Sequence, residues 1–306
     1  MNLDSLTREL RASTKGELLL NEPMCRHTSF RIGGPADVFF TPENEDDFKT
    51  ALAVCRQHQA PVTVIGGGTN LLVSDLGIEG VVISLAGRLN AVSVQGTSIT
   101  VGAGALLGQV SSTAAMHSLS GLEFAAGIPG TIAGAVAMNS AAFGRRMSDV
   151  VTSVRACTLD GHDVIFSADD CRFGEKSSIF LDGQHVVLAV VLGLKIGDPC
   201  EIREARERFV RERSAKQPLN QPSAGCAFRN PKGEGAGRYI DQAGCKGLRV
   251  GDAEVSRLHA NFIVNLGCAT AADVMQLMDQ VVELVASKVG VRLEPEIRFI
   301  GRRPAS

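Results

Sequence analysis

The stretch VIGGGTNLLV, residues 64–73, decides how this chain is read. A β-rich apolar run leads from Pro61 into three consecutive glycines and then Thr-Asn. Glycine has no Cβ, so successive backbone N–H groups in such a loop stay open, and an anion such as a pyrophosphate suits them. The run lacks both the Gly-Lys-Ser/Thr of a Walker A loop and the GxGxxG of a dinucleotide fingerprint. A plain turn accounts for the same glycines. On spacing alone the two readings are evenly matched.

Outward from this loop the chain alternates strands and helices. ADVFF (36–40) reads as a short strand, and TPENEDDF predicts a helix start with Thr41 as N-cap, Pro42 at N1 and acids in the first turn. VVISL (81–85) is a further buried strand, so residues 20–88 form a compact α/β unit. AVSVQGTSITVGAG predicts a hairpin breaking at Gln95-Gly96, LLGQVSSTAAMHSL (106–119) a helix, and VTSVRACTLDGHDVIFS a second hairpin turning at Asp160-Gly161. VVLAVVLGLKIG (186–197) is a long buried strand that completes an α+β unit over 89–198.

The third part, 199–306, opens on the charged helix 200–216, which predicts a solvated face. Further on, Thr270 caps a helix with Asp273 at N3, and Val274, Leu277, Met278, Val281 and Val285 form its apolar stripe. VRLEPEIRFIG reads as a terminal strand carrying Glu294, Glu296 and Arg298.

Two other glycine-rich runs need weighing. GAGALLG (102–108) follows a strand and has Glu123 about 20 residues on, but its spacing is GxGxxxG and no strand ends at the acid, so it is rejected as a dinucleotide site. GIPGTIAGAVAMNSAAFG (127–144) allows close backbone approach, to a ligand or to another element. Two open loops in one chain favour a large dinucleotide held between domains.

Composition removes several function classes. A net charge of −2 shows no basic excess for nucleic acid, and the absence of Trp with a single Tyr, Tyr239, leaves no stacking platform for bases. The charged N-terminus lacks a signal peptide's apolar stretch and no window is apolar enough for a membrane span, so a cytoplasmic protein is expected. The eight cysteines show no CxxC and no Cys/His cluster, which predicts reduced thiols and no metal. One of them, Cys226, stands in PSAGCAFRNP (222–231), a run of Pro, Gly, Ser and Asn that predicts a loop, not the interior of a helix or strand.

HTSFRIGGPA (27–36), VIGGGTNLLVSD, GLEFAAGIPGTIAGAV, QPSAGCAFRNP, AGRYIDQAGCKG, SRLHANFIVN and LEPEIRFIG follow one another in this order. The ensemble closely resembles the UDP-N-acetylenolpyruvoylglucosamine reductase family over residues 20–302, in its shorter subtype without an extra tyrosine-bearing loop. The resemblance implies an α/β and α+β three-domain FAD-binding fold of the vanillyl-alcohol-oxidase type with a C-terminal α+β substrate domain. It implies non-covalent FAD, since no histidine lies in the flavin loops, NADPH as hydride donor, and a UDP-sugar enolpyruvate as substrate.

Carried onto this chain, the resemblance places FAD against Gly66, Gly67, Gly68, Thr69, Asn70 and Leu71 of the first loop. From the second loop it takes Gly127, Ile128, Pro129, Gly130, Thr131, Gly134 and Val136. Cys226 occupies the position of the family's proton-donating serine, and Glu296 that of its catalytic glutamate. Asn230, Arg213 and Arg298 match substrate-binding positions. The chain departs from the family where Glu175 and Lys176 replace a Tyr-Arg pair, leaving Lys176 as the enolate-stabilising cation. Ala133, Ala141 and Phe143 also differ from the family pattern. These departures keep a second reading open: a flavin- and nucleotide-binding protein of the same fold with impaired or redirected reductase activity.

Overall fold

The computed structural model describes residues 2–231 and 235–303. The chain divides into two compact units: Met1–Leu20, Val38–Gly67 and Gly80–Glu212 make the first, while Asn21–Asp37, Gly68–Glu79 and Arg213–Ser306 make the second. The division falls inside the glycine triplet itself, between Gly67 and Gly68.

The first unit holds two apolar cores. In one, Leu6 and Leu10 of the helix Leu3–Ser13 and Phe48, Ala51, Leu52 and Cys55 of the helix Glu45–Gln57 cover Val81 and Ile83. Those last two belong to Ile78–Ser84, which runs parallel to Val62–Ile65. The helix at 45 does not begin at Thr41, which ends the strand Pro35–Thr41. Asn44 is its N-cap, accepting from Asp47 N at 2.9 Å, and Asp47 in turn accepts from the backbones of Glu43 and Lys15. The Asn44 carboxamide oxygen satisfies one of the helix's orphan N–H groups, that of Asp47, and Asp47 ties the preceding chain and Lys15 to the helix start. The other core lies on an antiparallel five-stranded sheet in the order Asp163–Ser167, Val151–Thr158, His185–Gly193, Ser98–Gly102, Val92–Gln95. Both expected hairpins are present in it.

The charged helix Pro199–Lys216 is less solvated than its composition suggests. Ile202 is buried, Arg206 bonds the hydroxyls of Ser111 and Ser112, and Phe209 stacks on Phe143 with ring centroids 4.1 Å apart.

The second unit has one core, shared by the helices Ala236–Gln242 and Ala271–Val289 and an antiparallel sheet ordered Ser223–Cys226, Phe262–Asn265, Ala253–Val255, Arg249–Val250. Thr270 and Asp273 form the expected capping box, and all five residues of the apolar stripe are buried. The terminal strand is shorter than expected: it spans Arg298–Ile300, parallel to Leu71–Val73, and Glu294 and Glu296 precede it. Among the described residues no helix is long and apolar enough to cross a membrane.

Candidate active site

In the first unit, the strand Val62–Ile65 delivers Gly66 against the second glycine-rich loop: a Cβ on Gly66 would collide with Thr131 Oγ1. Thr131 caps the short helix Ile132–Ala137, its hydroxyl accepting from Gly134 N at 3.3 Å. Gly127 and Gly130 have φ of 76° and 105°, left-handed values that residues with a Cβ rarely adopt. The two loops singled out in the sequence therefore meet, Gly66 against the side chain of Thr131, and Gly67, Gly127 and Gly130 add no side chains of their own. That is the form of site a dinucleotide needs, and the residues present fit FAD there. Ile128 is half-buried against the core and Val136 fully buried in it, so any part Val136 plays in binding comes from its backbone. The rejected run GAGALLG has a packing role, since Cβ atoms on Gly102 and Gly104 would strike the carbonyls of Leu89 and Arg88. Its Ala105 and Ala103 carbonyls accept from Ile132 N and Ala133 N and so carry the second loop.

Glu175 and Lys176 form the tip of a tight turn closed by Gly174 N donating to Ser177 O at 3.0 Å. Asn139 Nδ2 holds the Gly174 carbonyl at 2.9 Å, and Ser178 Oγ holds the Ala137 carbonyl at 2.8 Å. Glu175 is exposed and Lys176 half-buried, with Lys176 at φ 51°. A non-glycine residue in the left-handed region is uncommon, and such strain concentrates at functional sites.

In the second unit three motifs converge. Cys226 does not lie in a loop: Ser223–Cys226 is the edge strand of the four-stranded sheet, Cys226 facing Phe262. The pairing register shifts between Ser223 and Cys226, where Gly225 takes φ 78°, so one left-handed glycine lets a turn-like sequence run as a bulged strand. Beyond it, Glu296 N donates to Ala227 O and Arg229 N to Glu294 O, both at 2.8 Å, which sets the Cys226 and Glu296 segments side by side. Asn70 completes the junction, its Nδ2 donating to Glu296 O at 3.3 Å and its carbonyl accepting from Arg298 N at 3.0 Å. Leu71 pairs with Arg298. Glu296 is half-buried, whereas Glu294 and Arg298 are exposed.

Asn230 Oδ1 accepts from Ala236 N at 3.0 Å and so starts the helix Ala236–Gln242. Arg213, in the last turn of its helix, is desolvated; burial pushes its guanidinium below the ordinary value, and Cys226 acts the other way. All eight cysteines are thiols. Burial pushes Cys55 up to about 12 and Cys171 up to about 11, the mark of packing thiols, whereas Cys226 is half-buried.

Sequence reasoning missed Asn261, Asn139 and Gln217. Asn261 is 2% exposed; its carboxamide accepts from Phe228 N at 2.9 Å and donates to Phe228 O at 2.8 Å, and its carbonyl accepts from Ala227 N at 2.7 Å. The signal was an asparagine set in the apolar run HANFIVN.

The fold is a mixed α/β FAD-binding fold of the vanillyl-alcohol-oxidase type, and the open backbone cradle places the chain among flavin oxidoreductases. An FAD-binding domain family matches residues 36–167, and the C-terminal domain family of UDP-N-acetylenolpyruvoylglucosamine reductase matches residues 217–300. The reductase of Caldanaerobacter subterraneus subsp. tengcongensis is 43% identical over 94% of this chain and 95% of its own length. That of Clostridioides difficile is 38% identical over 98% and 99%. The crystal structure of the Thermus caldophilus enzyme superposes with a TM-score of 0.80 at 38% identity, covering 93% of this chain and 98% of the other. This chain belongs to the UDP-N-acetylenolpyruvoylglucosamine reductase family.

Proposed function

We propose that this protein reduces UDP-N-acetylglucosamine enolpyruvate to UDP-N-acetylmuramate with NADPH, through non-covalently bound FAD, in peptidoglycan precursor synthesis. FAD, when bound, supplies a two-electron store filled by hydride from NADPH and emptied onto the methylene carbon of the enol ether. Cys226 gives the proton to the neighbouring carbon. Glu296 and Lys176 stabilise the enolate that develops beside the carboxylate. Arg213, Arg298 and Asn230 bind the anionic substrate. In this reading residues 20–88 and 89–198 hold the flavin and 199–306 the substrate, while Phe30, Ile32 and Leu72 of the first stretch pack into the core of the second unit. A cytoplasmic location follows from a nucleotide substrate and NADPH.

The observation that carries the proposal is the 2.8 Å bond from Glu296 N to Ala227 O, which puts a protic side chain and a carboxyl group on adjacent segments. A thiol serves as the acid, being intrinsically more acidic than the alcohol it replaces. The rival reading, a protein that binds flavin and nucleotide without turnover, draws on Glu175 and Lys176. The exposure of Glu175 weakens it, because solvent screens a charge at a turn tip. Anaerobic stopped-flow absorbance of the flavin band decides between them. Bleaching by NADPH followed by recovery on adding the enolpyruvyl nucleotide is the expected result. Bleaching without recovery would support the rival.

A further inference from the structure

Arg213 Nε and Gln217 Oε1 are buried and have no hydrogen-bond partner among the described residues. They lie four residues apart where the helix Pro199–Lys216 ends, Gln217 N still donating to Arg213 O at 2.8 Å. One atom is a donor and the other an acceptor. A buried polar atom left unsatisfied costs stability, and native proteins keep few of them unless something binds there. The guanidinium's donor calls for an anionic oxygen, and the carboxamide oxygen calls for an N–H or O–H. The same end of the helix leads through residues 217–222 to the strand Ser223–Cys226, and Cys226 acts electrostatically on Arg213.

We propose that Arg213 and Gln217 form a two-point substrate subsite, Arg213 Nε donating to the enolpyruvyl carboxylate and Gln217 Oε1 accepting from an N–H or O–H of the adjoining amino sugar. This assignment rests on the functional reading above and adds Gln217 as a specificity residue. The chemistry follows from the ligand: an enolpyruvyl ether on an N-acetylhexosamine carries an anion beside neutral donors. A neutral acceptor suits the sugar. A second cation there would recognise only charge, and a hydrophobe would leave the sugar's donor unpaired.

The test uses the whole flavin-loaded protein and two probes, the enolpyruvyl nucleotide and UDP-N-acetylglucosamine, which lacks the enolpyruvyl carboxylate. Binding is followed by calorimetry. Gln217→Leu is expected to weaken both probes by a similar factor, about tenfold. It is also expected to raise the melting temperature of the ligand-free protein, because an orphaned polar atom is gone. Arg213→Met is expected to weaken the enolpyruvyl nucleotide on the order of 30-fold or more and to leave UDP-N-acetylglucosamine nearly unchanged. Gln217→Glu keeps an acceptor at the same place and guards against a variant that merely fails to fold; it should bind UDP-N-acetylglucosamine better than the leucine variant does. Wild-type binding with an unaltered leucine variant, or a lowered melting temperature in that variant, would overturn the subsite alone. A wild-type protein that takes hydride from NADPH yet binds neither nucleotide would remove the functional reading, and the subsite with it.

Discussion

Cys226 is held by a sheet, and Lys176 by a turn. The backbone that follows Cys226 is bonded on both flanks, to Asn261 on one side and to the Glu294–Glu296 stretch on the other. Lys176 sits at a turn tip fixed by one closing bond and by Asn139 and Ser178, and its own φ of 51° is strained. The difference bears on which substitutions each place tolerates. Where main-chain bonds set the position, a serine can become a cysteine without moving the chain. Where the residue itself must accept a left-handed backbone, its identity and the geometry of the turn are coupled. The cysteine replacement should therefore be chemically close to neutral, and the lysine replacement should not.

The comparison breaks most easily at Cys226. Cys226→Ala should slow reoxidation of the flavin by the enolpyruvyl nucleotide about 100-fold or more and leave its reduction by NADPH intact. Cys226→Ser should recover most of the lost rate, because the backbone presents the hydroxyl at the same place. Single-turnover kinetics reads both, and an unchanged reoxidation rate in the alanine variant takes Cys226 out of the mechanism.

Asn261→Leu strips the partners from the Phe228 N–H and carbonyl, and should cost about 2–4 kcal/mol in urea unfolding. It should also slow the same half-reaction, since the segment after Cys226 loses one flank. Unchanged stability would show that the terminal stretch holds the segment alone.

On the other side of the comparison, Lys176→Arg should raise the reoxidation rate severalfold through a bidentate grip on the carboxylate. A fall would mean that the strained turn has re-adapted around lysine. The companion variant Lys176→Gly should gain about 1 kcal/mol in stability, because glycine accepts the left-handed backbone, while losing the cation.

The smallest effect concerns His259, whose Nδ1 accepts from Asn261 N at 3.2 Å. Burial pushes its pKa below the ordinary 6.5. The unfolded chain then binds the proton more readily, so the stabilising contribution is complete above about pH 6.5 and is lost as pH falls toward the folded value, with a slope of at most about 1.4 kcal/mol per unit. Denaturant midpoints of the wild type and of His259→Gln across pH 5 to 8 should diverge at the acid end. Parallel curves would mean that the half-buried ring does not titrate with unfolding.

The hairpins at Gln95-Gly96 and Asp160-Gly161 and the Thr270–Asp273 capping box were legible because each is a local pattern of period, turn residue or cap. So were the two glycine loops, since an absent side chain is visible in sequence. Thr41 as a cap and Cys226 in a loop were misread for one reason: both inferences used local propensity where a neighbouring strand settled the matter. By itself the sequence determined the secondary-structure pattern, the open backbone of the two glycine loops, and, through its ordered motifs, the family. Only the tertiary structure decided that Gly66 meets Thr131, that Asn261 clasps Phe228, and that Arg213 Nε and Gln217 Oε1 are buried with bonds still to make. Contacts between residues far apart in the chain, and the burial that leaves a polar atom without water, come into being when the chain closes on itself.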